Sequence, residues 1–290
     1  MTRGRAPSEV PRATTAVILA RGLGSRMRRD DDGAALTPEQ AAAAAAGAKG
    51  LMPIAGHALL DYVLHELAEG GVTDVVFVVA PGETALRGRY GREAPPSRLR
   101  VRFAEQAEPR GTADALRAAG EAVRAVGPHD ARGVAHFLML NADNLYPAES
   151  VRALVELDGP GLVAYDADAL STLGNVEPER VRAFALLDLA PDDALRGIVE
   201  KPADDHPLLH ASPRWVSMNL WRFTDAIFGD CAAVAPSVRG ELELADAVRR
   251  ALERGDRFTA VRQRLPVLDL SRRGDVAAVE ARLAGRTPRP

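Results

Sequence analysis

Thr15-Ala-Val-Ile-Leu-Ala20 runs directly into Arg21-Gly-Leu-Gly-Ser-Arg26. The first stretch is short, β-branched and apolar without alternation, the pattern of a strand buried on both faces. The second places Gly22 and Gly24 in a turn, where a missing Cβ lets the backbone approach a ligand closely. A strand that ends in such a turn brings backbone N–H groups within reach of an anion, phosphate above all. Gly22-x-Gly24 is not a P-loop, which needs Gly-Lys-Ser/Thr, and not a complete Gly-x-Gly-x-x-Gly fingerprint. The turn needs company before it specifies a chemistry.

Working outward, Leu59 to Glu69 has helical spacing and Asp74 to Val79 reads as a second buried strand. Arg100 to Phe103 is a third, Thr112 to Val126 an alanine-rich helix, and His136 to Leu140 a further strand that ends in Asn141-Ala142-Asp143. Strands alternating with helices predict a parallel, doubly wound sheet. Past residue 160 the pattern changes. Leu162–Tyr165, Val181–Leu189, Gly197–Glu200 and Trp215–Phe223 follow with little helix between them, and predict a mixed or antiparallel region joined to the parallel sheet. Helices return at Leu242–Arg254 and Val276–Leu283. The expected fold class is α/β: a three-layer α/β/α sandwich with a mostly parallel, Rossmann-like central sheet and a smaller mixed β lobe. Residues 1–14 read as a disordered tail and 15–290 as one domain.

Composition removes several function classes. The chain has 290 residues, 47% hydrophobic and 27% charged, with a formal charge of −3. A strongly basic nucleic-acid surface is absent, and no apolar run is long enough for a membrane span. The first fifteen residues lack the apolar centre of a signal peptide, so a cytoplasmic location is expected. Cys231 is the only cysteine, which excludes an internal disulfide and a cysteine zinc site. The six histidines show no metal-ligand spacing.

All but two of the 37 basic residues are arginine. Lys49 and Lys201 persist against that bias, as expected where a compact ammonium is needed that guanidinium does not replace. Between Arg26 and Lys49 lies an insertion with Asp30-Asp31-Asp32-Gly33 and six consecutive alanines. Thr37 as N-cap, Pro38 in the first turn and Gln40 three residues on form a capping box, with Gly47 as the stop. The insertion reads either as a short helix in a mobile loop or as a low-complexity stretch.

Leu19-Ala-Arg-Gly-Leu-Gly-Ser-Arg-Met27 resembles the signature of the sugar-1-phosphate nucleotidylyltransferases, the nucleotide-sugar pyrophosphorylases, and the chain is similar to their short thymidylyl and uridylyl members. Five further segments follow in the family's order. Lys49 to Ile54 resembles its lysine segment, and Glu105-Gln106 with Gly111-Thr112-Ala113 its base-recognition segment. Asn141-Ala-Asp-Asn-Leu145 is similar to its metal segment, Glu200-Lys201-Pro202 to its Glu-Lys-Pro, and Arg239 to Asp246 to a second aspartate motif. The resemblance spans residues 15 to about 270, with both lysines at positions where the family keeps one.

The resemblance implies an enzyme that joins an NTP to a sugar 1-phosphate, giving NDP-sugar and pyrophosphate with Mg²⁺. It divides the chain at about residue 160 into a nucleotide-binding half and a sugar-phosphate-binding half (161–270), with a C-terminal helix in 271–290. Arg26, Lys49 and Asp143 are the implied catalytic residues, and Asp143 and Asp246 the metal ligands. Leu19, Ala20, Gly22, Gly24, Gln106, Gly111 and Thr112 would hold the nucleotide. Gly174, Glu200, Lys201 and Asn219 would hold the sugar phosphate, although glycine is more usual at the position of Asn219. The Gln106 amide can offer a donor and an acceptor to a uracil or thymine imide, so dTTP or UTP is favoured, with CTP open. A cyclitol or choline phosphate acceptor and a catalytically impaired regulatory homologue are the alternatives. Partners are therefore an NTP and a sugar 1-phosphate, with no nucleic acid and no membrane; the resemblance admits a homo-oligomer. Hexapeptide repeats are absent, so no acyltransferase domain is expected. Arg21 replaces a small residue near the expected base, where it would stack on the base, bind a phosphate or hinder binding. The long Arg26–Lys49 gap suits a helical lid over the triphosphate.

Overall fold

A computed structural model describes residues 10–22, 24–29, 33–182 and 184–290. The expectations for residues 1–9, for Leu23 and for Asp30-Asp31-Asp32 lie outside the described residues.

Among the described residues the central sheet has nine strands, here β1 (Thr15–Leu19), β2 (Asp74–Val79), β3 (Arg100–Glu105), β4 (His136–Asn141), β5 (Gly161–Asp166), β6 (Ala185–Leu189), β7 (Leu195–Val199), β8 (Trp215–Thr224) and β9 (Thr259–Gln263). The run β3-β2-β1-β4 is parallel throughout. The chain thus steps from β1 to one side for β2 and β3, and returns to the other side for β4. That reversal opens a crevice beyond the C-terminal ends of β1 and β4, where ligands of open α/β sheets bind. In the mixed lobe, β8 runs antiparallel to β4, β5 and β6, and β7 is antiparallel to β6.

Why β1 carries no polar alternation follows from the layers. Ala16 and Ile18 enter one apolar cluster with Val75, Phe77 and Leu140, whereas Val17 enters a second with Val76, Phe137 and Met139. Successive side chains of a strand point to opposite faces, and helices cover both faces here. Three layers result.

Four local readings change in the structure. The expected helix Thr112 to Val126 is two helices, Thr112–Ala118 and Gly120–Val126. The expected strand from Val181 begins only at Ala185, because Pro178–Val181 is a helical turn opened by its proline. The end of the expected tail is packed: Ala13 is fully buried, and its N–H bonds Val155 O at 3.2 Å. The insertion does form a helix, Pro38–Ala46, with the Thr37–Gln40 capping box complete. It is docked, since the buried Gln40 amide donates to Pro53 O at 3.0 Å and reaches Glu280.

Arg222 explains how the chain's beginning is held. Its guanidinium is fully buried, with no carboxylate partner among the described residues, and burial pulls its pKa down to about 10. It donates to the carbonyls of Leu154, Val155 and Pro11 at 3.0, 2.9 and 2.7 Å, and meets His136 Nδ1 at 3.4 Å. His136 is held below the ordinary histidine range, by burial first and the Arg222 charge second, with Asp130 opposing. A histidine depressed in the folded state takes its proton more readily when unfolded. Its contribution to stability is therefore complete above a pH of about 6.5 and is lost as the pH falls from there toward the folded-state value. Thermal unfolding of His136→Gln between about pH 7 and 5 should show a flatter loss of Tm than the parent protein; equal slopes would exclude His136 as the cause. Arg222→Ala removes a buried donor from three carbonyls, of which Val155 O and Leu154 O keep backbone partners in Ala13 N–H and Leu157 N–H, and should lower stability in urea by about 2 kcal/mol or more.

Candidate functional site

The crevice beyond β1 and β4 is built from two neighbouring strand ends. Leu19 pairs with Asn141 in register, and Ala142 N–H bonds Leu19 O at 3.3 Å. The glycine turn after β1 and the Asp143 loop after β4 are therefore held side by side. Gly24 adopts φ +61°, and a Cβ there would fall 2.6 Å from the backbone of Gly47. This close approach locks the glycine turn to the C-terminal cap of the insertion helix. Two residues on, Lys49 opens a short 3₁₀ turn, Lys49–Leu51, and its Nζ lies 2.8 Å from Asp143 Oδ2. Arg26 stands exposed on the short helix Ser25–Arg28 at the other end of the turn. The insertion acts as a strut that delivers Lys49 to Asp143; its docking on Pro53 and Glu280 does not fit the free lid expected from its length.

Asp269, a carboxylate that the sequence analysis did not name, lies on the backbone beside Asp143. Asn144–Leu145 and Leu268–Asp269 form a two-stranded antiparallel pair with Asn144 opposite Asp269. Leu270 N–H bonds Asp143 O at 2.9 Å, which fixes the two acidic residues on adjacent backbones. Burial and the nearby Asp143 charge both push the Asp269 carboxyl above the usual range, and Arg180 opposes them. The Asp269 oxygens accept from Asn144 at 2.9 Å, from Ser271 at 3.0 Å and from Arg180. Sequence reasoning passed over Asp269. The available signal was Val267-Leu268-Asp269, a short apolar run ending in aspartate like the one before Asp143.

Asp246 stands in the first turn of the helix Leu244–Glu253, where it pairs with Arg249. It raises the pKa of Glu200, after burial and Glu243, while Arg239 and Lys201 oppose. These five side chains thus share one surface. Glu200 is water-accessible yet desolvated, as at the bottom of an open cleft. Lys201 is exposed at φ +44°, a conformation uncommon outside glycine and enriched at functional sites. Asn219 also has positive φ, +60°, at an irregularity in β8 where its pairing shifts between Ser217 and Trp221. Asparagine tolerates that conformation, which accounts for asparagine at a position where glycine is more usual. Gly174 has a packing role: a Cβ would fall 2.5 Å from Leu170 O and 2.6 Å from Val267 O. No group faces it from the Glu200 surface among the described contacts.

The base-recognition segment is a third group. Gln106 is buried, and its Nε2 donates to Asp114 Oδ2 at 2.9 Å and Gly111 O at 3.2 Å. A carboxylate and a carbonyl both require a donor, so the amide nitrogen is engaged and only Oε1 remains for a ligand. This corrects the expectation of a donor and an acceptor. Arg21 spans the crevice rim, donating to Gln106 O at 2.6 Å and Ala107 O at 2.9 Å. Gly111 sits at φ +120°, with Leu242 O 2.5 Å from where a Cβ would lie, and the Thr112 hydroxyl accepts from Leu244 N at 2.9 Å. These contacts join the segment to the start of the Asp246 helix.

Among the described residues no three His, Cys, Asp or Glu side chains converge as a metal cage. Mg²⁺ needs no such cage, since one or two carboxylates with substrate phosphates hold it. Asp143, with 24% of its side chain exposed, fits that demand. Gly111→Ala should destabilise the protein by about 2 kcal/mol or more through backbone strain and the Leu242 contact. Gly22→Ala should stay within about 0.5 kcal/mol, because nothing lies within 4 Å of a Cβ there. Chemical denaturation of the two variants checks the contrast.

A model of the nucleotidyl transferase family matches residues 15–266. The low-salt glycan biosynthesis nucleotidyltransferase Agl11 of Haloferax volcanii is 28% identical over 240 residues, covering 82% of this chain and 57% of that protein. A glucose-1-phosphate thymidylyltransferase of Streptomyces griseus is also 28% identical over 240 residues, covering 83% of this chain and 58% of its own length. The chain thus spans a little over half the length of these curated relatives. A UTP-bound UGPase from Acinetobacter baumannii shares the fold, with a TM-score of 0.68 over 95% of both chains at 15% identity. No helix among the described residues is long and apolar enough to cross a membrane. Since the family model runs from β1 through the last strand of the sheet, this protein belongs to the nucleotidyl transferase family.

Proposed function

We propose that the chain transfers a nucleotidyl group from an NTP to a sugar 1-phosphate, releasing pyrophosphate. The observation that carries this reading is the meeting of the glycine turn, Lys49 and Asp143 at the β1/β4 crevice. A sugar 1-phosphate is already an anionic nucleophile at neutral pH, so the reaction needs no general base. Catalysis consists of holding two polyanions in line and neutralising their repulsion. Arg26 and Lys49 take the β and γ phosphates and stabilise departing pyrophosphate, with the N–H groups of the glycine turn beneath them. Lys201 holds the phosphate of the acceptor, and Glu200 accepts from the sugar hydroxyls.

Mg²⁺ would be held at Asp143 together with phosphate oxygens, and its chemistry there is charge neutralisation at the transferring phosphoryl group. Asp246, whose charge reaches Glu200 beside Lys201, is the second carboxylate of that set on this reading.

The remaining Gln106 acceptor, Oε1, suits the N3–H of uracil or thymine and meets a lone pair at N3 of cytosine. UTP or dTTP is therefore favoured. The named activity of the Streptomyces relative and the UTP in the Acinetobacter structure agree with a pyrimidine.

Pyrophosphate release with Mg²⁺ should require both substrates and favour UTP or dTTP in a panel of NTPs and sugar 1-phosphates. Asp143→Asn should lower kcat by about 100-fold or more. Lys201→Ala should raise the KM of the sugar phosphate about tenfold while NTP binding stays unchanged. Absence of release with every pair, despite bound nucleotide, overturns the reading.

A further inference from the structure

Arg21 reaches from the glycine turn to the base-recognition segment across the end of β2. Ala20 N–H bonds Val78 O and Gln106 N–H bonds Val79 O, both at 2.9 Å. The chain just after β1 and the chain just after β3 therefore flank the C-terminal end of β2. The Arg21 side chain bridges that end, its Nε donating to Gln106 O at 2.6 Å and its Nη2 to Ala107 O at 2.9 Å. Nε and Nη2 share one edge of a planar fork, and two bonds from that edge fix the plane. The rest of the group is uncommitted. Among the described residues Arg21 has no carboxylate within ion-pair distance, and its Nη1 has no hydrogen-bond partner. Arg87, Arg89, Arg124 and Arg262 each lie over an aromatic ring, whereas no described ring covers Arg21. The residue is part-exposed. A fixed, charged and open plane thus stands between the glycine turn and Gln106, whose Oε1 is free for a base. A nucleotide held at both of those ends lies along it.

We propose that Arg21 is the stacking platform for the nucleobase, its guanidinium plane held flat by the Gln106 and Ala107 carbonyls so that the ring of the base lies against it. Planar guanidinium groups stack on nucleobases and attract their π-faces. Two further observations favour the base over the phosphates as the group served. The engaged donors are aimed at the base segment, which anchors the charge at that end, and both bonds go to neutral carbonyls that leave the charge uncancelled. Holding the plane before the ligand arrives spares the ordering cost of a long side chain. Every base has a π-face, so Arg21 supplies affinity for the ring while Gln106 selects its edge. The proposal rests on the reading of the crevice as a nucleotide site and deepens it; it does not depend on the acceptor.

The test is calorimetric binding of UTP, dihydro-UTP and inorganic tripolyphosphate to the full chain, with Mg²⁺ and without sugar phosphate, in the parent protein, R21A and R21K. Reduction of the uracil ring keeps the imide edge that meets Gln106 but removes the flat π-face. The parent should bind UTP about tenfold more tightly than dihydro-UTP. R21A should lose that preference through a fall in UTP affinity of about tenfold, with tripolyphosphate binding unchanged. R21K keeps the charge without the plane and should behave as R21A. A fall in tripolyphosphate affinity that matches the fall for UTP makes Arg21 a phosphate ligand and overturns the proposal. Unchanged or tighter UTP binding in R21A overturns it as well, as does full rescue by R21K. Equal affinity of the parent for UTP and dihydro-UTP overturns it without any variant, so the proposal stays open to refutation even if R21A does not fold. The functional reading fails separately: a chain that binds nucleotides in the expected pattern yet releases no pyrophosphate sinks the reaction and leaves the platform, and an active chain indifferent to ring reduction does the reverse.

Discussion

The parallel pairing of β1 with β4 is the constraint on which the rest of the site depends. Four register pairs, from Ala16–Leu138 to Leu19–Asn141, bring two loops together that are more than a hundred residues apart in the chain. One loop carries the glycine turn and the other carries Asp143. Because β2 and β3 lie on the far side of β1, nothing in the sheet covers the gap between these loops. The crevice follows from strand order, and the ligand chemistry follows from which residues happen to end the two strands.

Around that crevice the charges are arranged in pairs with different burial. Lys49–Asp143 is part-exposed and open to exchange with a phosphate and a metal. Arg180 with Asp269 and Asp275 is deeper and resists exchange, since separating a buried pair leaves an uncompensated charge. Glu200, Lys201, Glu243 and Asp246 form a looser group, where burial first and the Glu243 charge second push the Glu200 carboxyl upward. A site for two polyanions benefits from this grading: fixed charges hold the frame while exposed ones change partners. The backbone contributes in the same sense. Gly24 against Gly47 and Gly111 against Leu242 are close approaches that no side chain permits, and they pin the phosphate and base segments to their neighbours.

Much of the local structure was readable from residue types. The apolar run of β1 and the capping box at Thr37 each announce a short-range requirement, and each stands where that requirement predicts. The break at Ala119 in the expected 112–126 helix was not readable, because alanine favours continuing a helix and only tertiary packing interrupts it. The surroundings of Asp246 were not readable for a related reason. Its motif marks a helix start, but a motif does not say which crevice that helix faces. Asp269 went unnoticed because the bond that matters, Leu270 to Asp143, joins residues over a hundred positions apart. Gln106 was read as offering both a donor and an acceptor, yet its free valence depended on Asp114, whose approach is a matter of packing.

The sequence by itself determined the α/β class, the glycine turn after β1 and the capped insertion helix, because these arise from periodicity, from missing Cβ atoms and from local side-chain hydrogen bonds. Only the tertiary structure decided which carboxylate stands beside Asp143, which end of Gln106 is available and that Arg180 is a fixed internal charge. Those properties depend on distances between segments remote in the chain, and Coulomb and hydrogen-bond energies are set by such distances and by burial rather than by residue type.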